Sequence, residues 1–281
     1  MAARDPAAAS AEWIGRSFER RDVIAPRMAA CFAATLAPHV SRAGGAAPGI
    51  FWCLAPDIVQ AGKLGGDGHP RTGLFLPPLP YPRRMWAGGE LVFHGAFNTG
   101  DEVVKTSHVE NIAFKSGNSG KLAFVTMRHR YAVGGQLVLD ERQDIVYREP
   151  PGAGAEATPL PRPAQADTVR RWDIEVDPVL LMRYSALTFN GHRIHYDYPY
   201  ATGTEGYDGL VVHGPLQATL MLNIATDVLG RLPQRFSYRG QAPLICGPPF
   251  AVEALHHADG GLATQVVDAS GTITMVAQAV A

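Results

Sequence analysis

Glu175-Val176-Asp177-Pro178-Val179-Leu180-Leu181-Met182-Arg183-Tyr184 restates an earlier stretch, Asp22-Val23-Ile24-Ala25-Pro26, together with the helical run after it. In both places a short acidic and β-branched approach reaches a proline. Apolar residues then recur at helical spacing: Val23, Ile24, Met28, Cys31, Phe32 and Leu36 in the first, Val179, Leu180, Met182, Tyr184 and Leu187 in the second. A proline is tolerated in a first helical turn, where a backbone N–H has no intrahelical acceptor. Two such beginnings in one chain suggest that a single plan is used twice.

The segments beyond each helix support the duplication. In the first half, Glu90–Asn98, Glu102–Lys115, Gly120–Val133 and Gln136–Arg148 are rich in β-branched and aromatic residues, with turns such as Ser116-Gly117-Asn118-Ser119-Gly120 between them. The second half has a longer apolar helix over Leu216–Leu229, opened by Gly214-Pro215. Strands are then expected at Arg235–Ala242, Phe250–His257, Gly261–Asp268 and Thr272–Ala279, with Asp259-Gly260-Gly261 as one turn. Between the halves, a Pro- and Ala-rich segment reads as a linker. The expected organisation is therefore residues 12–150, a linker at 151–167, and residues 168–281, after an Ala-rich and frayed beginning. An antiparallel sheet wrapped around a central helix in each half is an α+β architecture, a double hot-dog fold. Residues 46–52 open toward a strand in this reading. Gly62 to Pro82 holds too many Gly and Pro for regular structure and reads as a long functional loop.

Composition removes several function classes. The net charge is −1 and no Lys/Arg block occurs, so neither a nucleic-acid groove nor an anionic membrane surface is indicated. Three widely spaced cysteines, Cys31, Cys53 and Cys246, build neither a disulfide framework nor a metal knuckle and favour a reducing compartment. The apolar run from Leu210 to Ala225 is interrupted by polar residues and is too short to span a bilayer. With no signal-peptide pattern at its start, the chain reads as a cytoplasmic protein. His256-His257 and the other histidines lack metal-ligand spacing along the sequence, so no metal is expected. Asp67-Gly68-His69 reads as a turn.

The densest chemistry lies just beyond the second helix, in Tyr184-Ser-Ala-Leu-Thr-Phe-Asn190-Gly-His192-Arg193-Ile-His195-Tyr-Asp197. Burying unpaired polar groups costs roughly 1–3 kcal/mol each. A segment this polar after an apolar helix is therefore expected to end at a cleft, with Asn190 and His195 turned into it. The first half has no counterpart, which implies one site per chain.

Asn190-Gly191-His192-Arg193-Ile194-His195-Tyr196-Asp197, Val212-His213-Gly214-Pro215-Leu216 and Tyr81-Pro82-Arg83-Arg84-Met85-Trp86-Ala87-Gly88-Gly89 resemble motifs of the MaoC-like (R)-specific enoyl-CoA hydratases. Within them, the three together look like the type 2 hydroxyacyl-thioester dehydratase branch, which includes mesaconyl-CoA (3-methylfumaryl-CoA) and itaconyl-CoA hydratases. The resemblance covers roughly residues 12–281. It implies a double hot-dog fold and a CoA or acyl-carrier thioester as ligand. Separately, no Gly-rich dinucleotide or phosphate loop follows a strand, so no further cofactor is expected. The resemblance also exposes a departure, because the general-purpose hydratases place an aspartate where this chain has Asn190.

Hydrating an enoyl thioester requires a base for water, a proton for the α-carbon and donors at the thioester oxygen. His195 is the expected acid/base. Asn190 can hold water but exchanges no proton. The Gly214 N–H, opening a helix, is the expected oxyanion donor. Asp197 is expected to orient His195. Arg84, Arg83, Trp86, Arg193, His213 and Tyr184 form the substrate side, with an arginine clamping a substrate carboxylate. Bland readings stand beside these: Asn190 as a helix C-cap, His192 and Arg193 as a solvated turn, Arg83 and Arg84 as a surface pair. The preferred function is hydration of a short branched dicarboxylic 2-enoyl-CoA. The rivals are a 3-hydroxyacyl-thioester dehydratase of fatty-acid synthesis, a non-catalytic acyl-thioester binder and a thioesterase. The paired halves already supply a pseudo-dimer, which can stop there or assemble further as a homodimer.

Overall fold

The computed structural model describes residues 10–41, 43, 45–117, 120–148, 167–256 and 261–281. The Ala-rich beginning, the Asn118-Ser119 turn tip, the linker up to residue 166, and His257 with the Asp259-Gly260 turn lie outside the described residues.

In chain order the regular elements are β1 (Ser17–Val23), α1 (Pro26–Leu36), β2 (Arg83–Phe93), β3 (Glu102–Gly117), β4 (Gly120–Val133) and β5 (Gln136–Arg148). The second half contributes β6 (Asp167–Ile174), α2 (Pro178–Leu187), α3 (Gly214–Leu229), β7 (Arg235–Gly240), β8 (Phe250–His256), β9 (Leu262–Val267) and β10 (Ile273–Val280). The strands form one sheet in the order β1-β3-β4-β5-β2-β7-β10-β9-β8-β6, with antiparallel neighbours throughout. Read outward from the β2–β7 seam, the two sides repeat one topology. Each runs second, fifth, fourth, third and first strand of its half, so the duplication is written in the connectivity.

β1 and β6 are not expected from the sequence. They are the two edges of the sheet, and their sequences, Ser-Phe-Glu-Arg-Arg-Asp-Val and Asp-Thr-Val-Arg-Arg-Trp-Asp-Ile, are charged. Charged edges discourage pairing with other chains and weaken the alternation by which a strand is recognised. β2 also begins seven residues earlier than expected, at Arg83. Its Gly88 and Gly89 are strand residues at the seam, where a Cβ on Gly88 would lie 2.5 Å from the Tyr238 carbonyl oxygen. Only a residue without a side chain lets the two half-sheets approach this closely.

The halves differ in what they wrap. α3 is buried from Pro215 through Thr226 and packs on β8, β9 and β10. Its polar residues are satisfied: Asn223 donates to the Pro48 carbonyl at 2.8 Å and accepts from the Ser41 N–H at 3.0 Å, while Gln217 accepts from Thr274 at 2.8 Å. In the first half the expected strand opening at residues 46–52 is instead a one-turn 3-10 helix, Ile50–Cys53. Its Phe51 packs against Phe93, Phe97 and Tyr131. The Pro-rich loop continues across the first half-sheet, with Leu76, Leu79 and Tyr81 against a second apolar cluster of Val109, Val125, Met127 and Tyr147.

Candidate active site

α2 ends at Leu187, and Phe189 takes a positive φ of 52° that turns the chain out of the helix. Asn190 then folds back, its Oδ1 accepting the His192 N–H at 2.9 Å. A 3-10 turn over Arg193–His195 comes next, and the Val211 N–H donates to the Ile194 carbonyl at 2.9 Å. In return His195 Nδ1 contacts the Val211 carbonyl at 2.7 Å. A carbonyl can only accept, so Nδ1 carries the proton and Nε2 keeps a lone pair. Burial pushes the His195 pKa down to about 3, against the opposing pull of the Val211 carbonyl.

His195 faces a cavity of about 1150 Å³ that is lined from both halves. Behind it lies the ring of His213, stacked at 3.6 Å between centroids with a 20° interplanar angle. His213 is completely buried and its Nε2 meets Ser185 Oγ at 2.8 Å. The first residue of α3, Gly214, lines the same cavity as His195. Its N–H belongs to the first helical turn, which has no intrahelical acceptors, and the helix dipole points its positive end there.

Several expected substrate contacts are placed elsewhere. His213 and Tyr184 are fully buried and do not line the cavity; Tyr184 pairs its hydroxyl with Thr219 at 3.2 Å. Arg193 is held by Asp197 at 2.7 Å and by the Gly66 carbonyl at 3.0 Å. That ion pair also takes Asp197 away from His195, whose orienting partner is the Val211 carbonyl instead. Trp86 does line the cavity, with its Nε1 donating to Tyr238 Oη at 3.0 Å. Arg83 and Arg84 line it as well but already have acidic partners. Arg83 pairs with Glu205 at 2.9 Å, and Arg84 pairs with Asp67 at 3.1 Å while donating to the Pro70 carbonyl at 3.0 Å.

Two features have no place in the site as read from the sequence, where the second of them reads only as a turn. Arg148, at the end of β5, lines the cavity; its Nε is buried without an acceptor, and no carboxylate of the described residues pairs with it. The Asp67-Gly68-His69 turn reaches the site, with the His69 ring 4.3 Å from that of His192, which in turn lies 5.4 Å from His195. Asp67, His69 and His192 bring possible ligand atoms within 4.8 Å of one another. Arg84 already neutralises that carboxylate, so a divalent cation there would meet a guanidinium. Burial would raise the Asp67 pKa, but hydrogen bonds from His69 and the Arg84 charge outweigh it and hold the carboxyl well below its usual range. Burial, with His69 and His195 nearby, pushes His192 down to about 2. The spacing of these residues along the chain could not reveal the cluster, because 123 positions separate His69 from His192 (192 − 69).

A family model described as hydroxyacyl-thioester dehydratase type 2 matches residues 50–246. The chain belongs to that family. Over 250 residues it is 43% identical to the mesaconyl-C(4)-CoA hydratase of Chloroflexus aurantiacus, covering 88% of this chain and 89% of that protein. A MaoC-like dehydratase from Phytophthora capsici superposes with a TM-score of 0.68 at 13% identity, over 95% of this chain and 94% of that one. A Mycobacterium tuberculosis protein described as having a double hotdog fold superposes with a TM-score of 0.56 at 18% identity, over 95% of each chain. These likenesses identify the architecture as the double hot-dog fold. For this family member, the matched region contains the Asp67 loop, β2, the His195 turn and the start of α3, so the whole cluster lies inside it. Among the described residues, no helix is long and apolar enough to cross a membrane.

Proposed function

We propose that the chain reversibly adds water to a short, branched, dicarboxylic 2-enoyl-CoA, with mesaconyl-CoA to citramalyl-CoA as the preferred reaction and itaconyl-CoA closely related. The observation that carries this reading is the fixed tautomer of His195, which leaves an Nε2 lone pair in a cavity shared with the first turn of α3. The likeness to a mesaconyl-C(4)-CoA hydratase supports the substrate class.

Those two groups supply the attack of water and the stabilisation of the enolate, whose α-carbon must then take up a proton to complete the addition. His195 Nε2 takes a proton from water as the water oxygen bonds the β-carbon. The π electrons move through the α-carbon onto the thioester oxygen, where the Gly214 N–H meets the developing charge; one such donor is typically worth about 3 kcal/mol of barrier. Asn190, whose Oδ1 is engaged by the His192 N–H, offers its Nδ2 hydrogens to the water. A substrate anion is best met by a cation with no carboxylate partner among the described residues. Arg148, beside the Tyr207 hydroxyl, is better suited than Arg83 or Arg84, which would first have to release Glu205 or Asp67. We assign Arg148 to the acyl carboxylate.

The cavity walls bear on the fatty-acid alternative. From the first half-sheet, Lys105, His129, Glu141 and Gln143 give the cavity a polar patch while Leu122, Met127, Ile145 and Val146 give it an apolar wall, so the choice between the two readings falls to the substrate panel. A retired, merely binding site has no need of a histidine held in one tautomer. The cytoplasm and a homodimer belong to the same proposal; three free cysteines, Cys31, Cys53 and Cys246, suit a reducing compartment. The deciding experiment monitors the enoyl-thioester absorbance with mesaconyl-CoA, itaconyl-CoA, crotonyl-CoA and a long-chain enoyl-CoA. Loss with the two dicarboxylic substrates is expected. Loss confined to the long chain would transfer the protein to fatty-acid dehydration, and tight binding without any loss would make it a binder.

A further inference from the structure

Asn190 stands where a proton-exchanging acid would be expected, so one of the two proton transfers in hydration lacks an owner. We infer that His69, oriented by Asp67, is the second acid–base group of this site and gives the α-carbon its proton. The inference rests on the hydratase reading and adds a catalytic residue from the other half of the chain.

The turn that carries His69 is built onto the His195 segment. The Asp67 carbonyl accepts the Arg193 N–H at 2.9 Å, and the Gly66 carbonyl accepts from the Arg193 side chain at 3.0 Å. Gly68 has φ +90° and presses directly on the Gly191 backbone, where any Cβ would collide with the Gly191 carbonyl oxygen. Within the turn, Asp67 Oδ1 accepts the His69 N–H at 3.1 Å and Oδ2 meets His69 Nδ1 at 3.2 Å. Arg84 Nε fixes the carboxylate from β2 at 3.1 Å. Nδ1 therefore donates to Asp67, and Nε2 is the nitrogen left for the cavity that His69 lines with His195.

Partners separate the imidazoles. His195 leans on a neutral carbonyl, His213 on a serine hydroxyl, and His192 has the rings of His69 and His195 beside it. Only His69 of the four has a carboxylate against its ring, so a proton shared among them rests there. The groups facing His69 are Asp67 on its own turn, Arg84 on β2, and His192 and His195 on the opposing segment. Burial is the largest influence on His69 and lowers its pKa from the ordinary value, and the Arg84 charge lowers it too. The Asp67 hydrogen bond and charge pull the other way, so an imidazolium held there by Asp67 is a ready donor. In hydration, the water proton goes to His195 Nε2 and the oxygen bonds the β-carbon. The enolate's electron pair then takes the proton from His69 Nε2 to form the α C–H bond. Transfer of the proton from His195 back to His69, past the intervening His192 ring, restores the starting state with no net gain or loss of charge.

The test joins two readouts on the full chain. Histidine side-chain ¹⁵N NMR of the wild type, titrated between pH 5 and 8, should show His69 protonating at higher pH than His192, His195 and His213. A different order overturns the assignment whatever the substrate. In kinetics with mesaconyl-CoA, His69→Asn keeps a donor toward Asp67 but deletes Nε2. It should lower kcat by about 10²–10⁴-fold and remove the alkaline limb of the pH profile. Asp67→Asn should move that limb to lower pH. Wild-type kcat and an unchanged pH profile in His69→Asn would reduce the turn to scaffolding. Inactivity of the wild type itself toward all four enoyl-CoAs would instead sink the hydratase reading, and the donor role with it.

Discussion

Replacing Gly191 by alanine isolates the contact between the two halves at the site. Gly191 has no positive φ, so alanine brings no backbone strain, and its Cβ would lie 2.6 Å from the Gly68 carbonyl oxygen, where real Cβ contacts keep at least 3.0 Å and ordinarily 3.4–4 Å. The Asp67 turn and the His195 segment must therefore separate by 0.4 Å (3.0 − 2.6) to 0.8 Å (3.4 − 2.6). A misplacement of 1 Å can reduce catalysis about 100-fold, so a roughly tenfold fall in kcat is expected, equivalent to about 1.4 kcal/mol of barrier. Gly68→Ala should be more damaging, because it adds the strain of a non-glycine residue at φ +90°, on the order of 1–3 kcal/mol. The assay is the initial rate of enoyl-thioester absorbance loss, with a urea melt of each variant beside it. A Gly191→Ala protein with wild-type kcat would refute the idea that docking of this turn sets the catalytic geometry.

His195→Ala should abolish turnover while thioester binding, measured by calorimetry, stays within about tenfold, because the lost imidazole acts on water; full activity would sink the mechanism. Arg148→Ala should raise KM for mesaconyl-CoA and leave crotonyl-CoA unaffected, whereas an equal rise for both would assign the guanidinium to the CoA moiety instead. The buried histidines also set the acid stability. Burial lowers the folded pKa of His195 to about 3 and of His192 to about 2, with His213 also driven down, against an unfolded value of about 6.5. Below that value the unfolded chain binds the extra protons, so their contribution is fully present above pH 6.5 and is lost progressively as pH falls toward 3. Urea midpoints should decline from pH 7 to pH 5, and a flat profile would show that these rings are not held neutral.

The repeated plan was legible because hydrophobic burial leaves a periodic trace. Long interior strands such as β4 and β5 alternate, and helices opened by Pro26, Pro178 and Pro215 carry a start signal. What failed to register was sequence whose character is set by its place in the sheet. The edge strands β1 and β6 are charged because they are edges. Arg83-Arg84-Met85-Trp86-Ala87-Gly88-Gly89 resembles a loop because two half-sheets meet across its glycines. The one-turn helix at Ile50–Cys53 has too few residues to show a period at all.

The site divides along the same line. His195, Asn190 and Gly214 sit within 25 residues of one another (214 − 190 = 24 positions apart) and could be read as a local motif. Local reading also erred there: Asp197 lies two residues from His195, yet the 3-10 turn sends its carboxylate to Arg193 and gives His195 the Val211 carbonyl. Asp67 and His69 look like an ordinary turn because everything that makes them more lies across the fold. Arg84 comes from the seam strand, and Gly191 and Arg193 come from the second half. The duplication supplies the reason for this arrangement. Two half-sheets joined at β2 and β7 bring a loop of the first half over the helix ends of the second. A proton carrier missing at Asn190 can therefore be supplied from the other copy, which no inspection of the His195 motif alone would reveal.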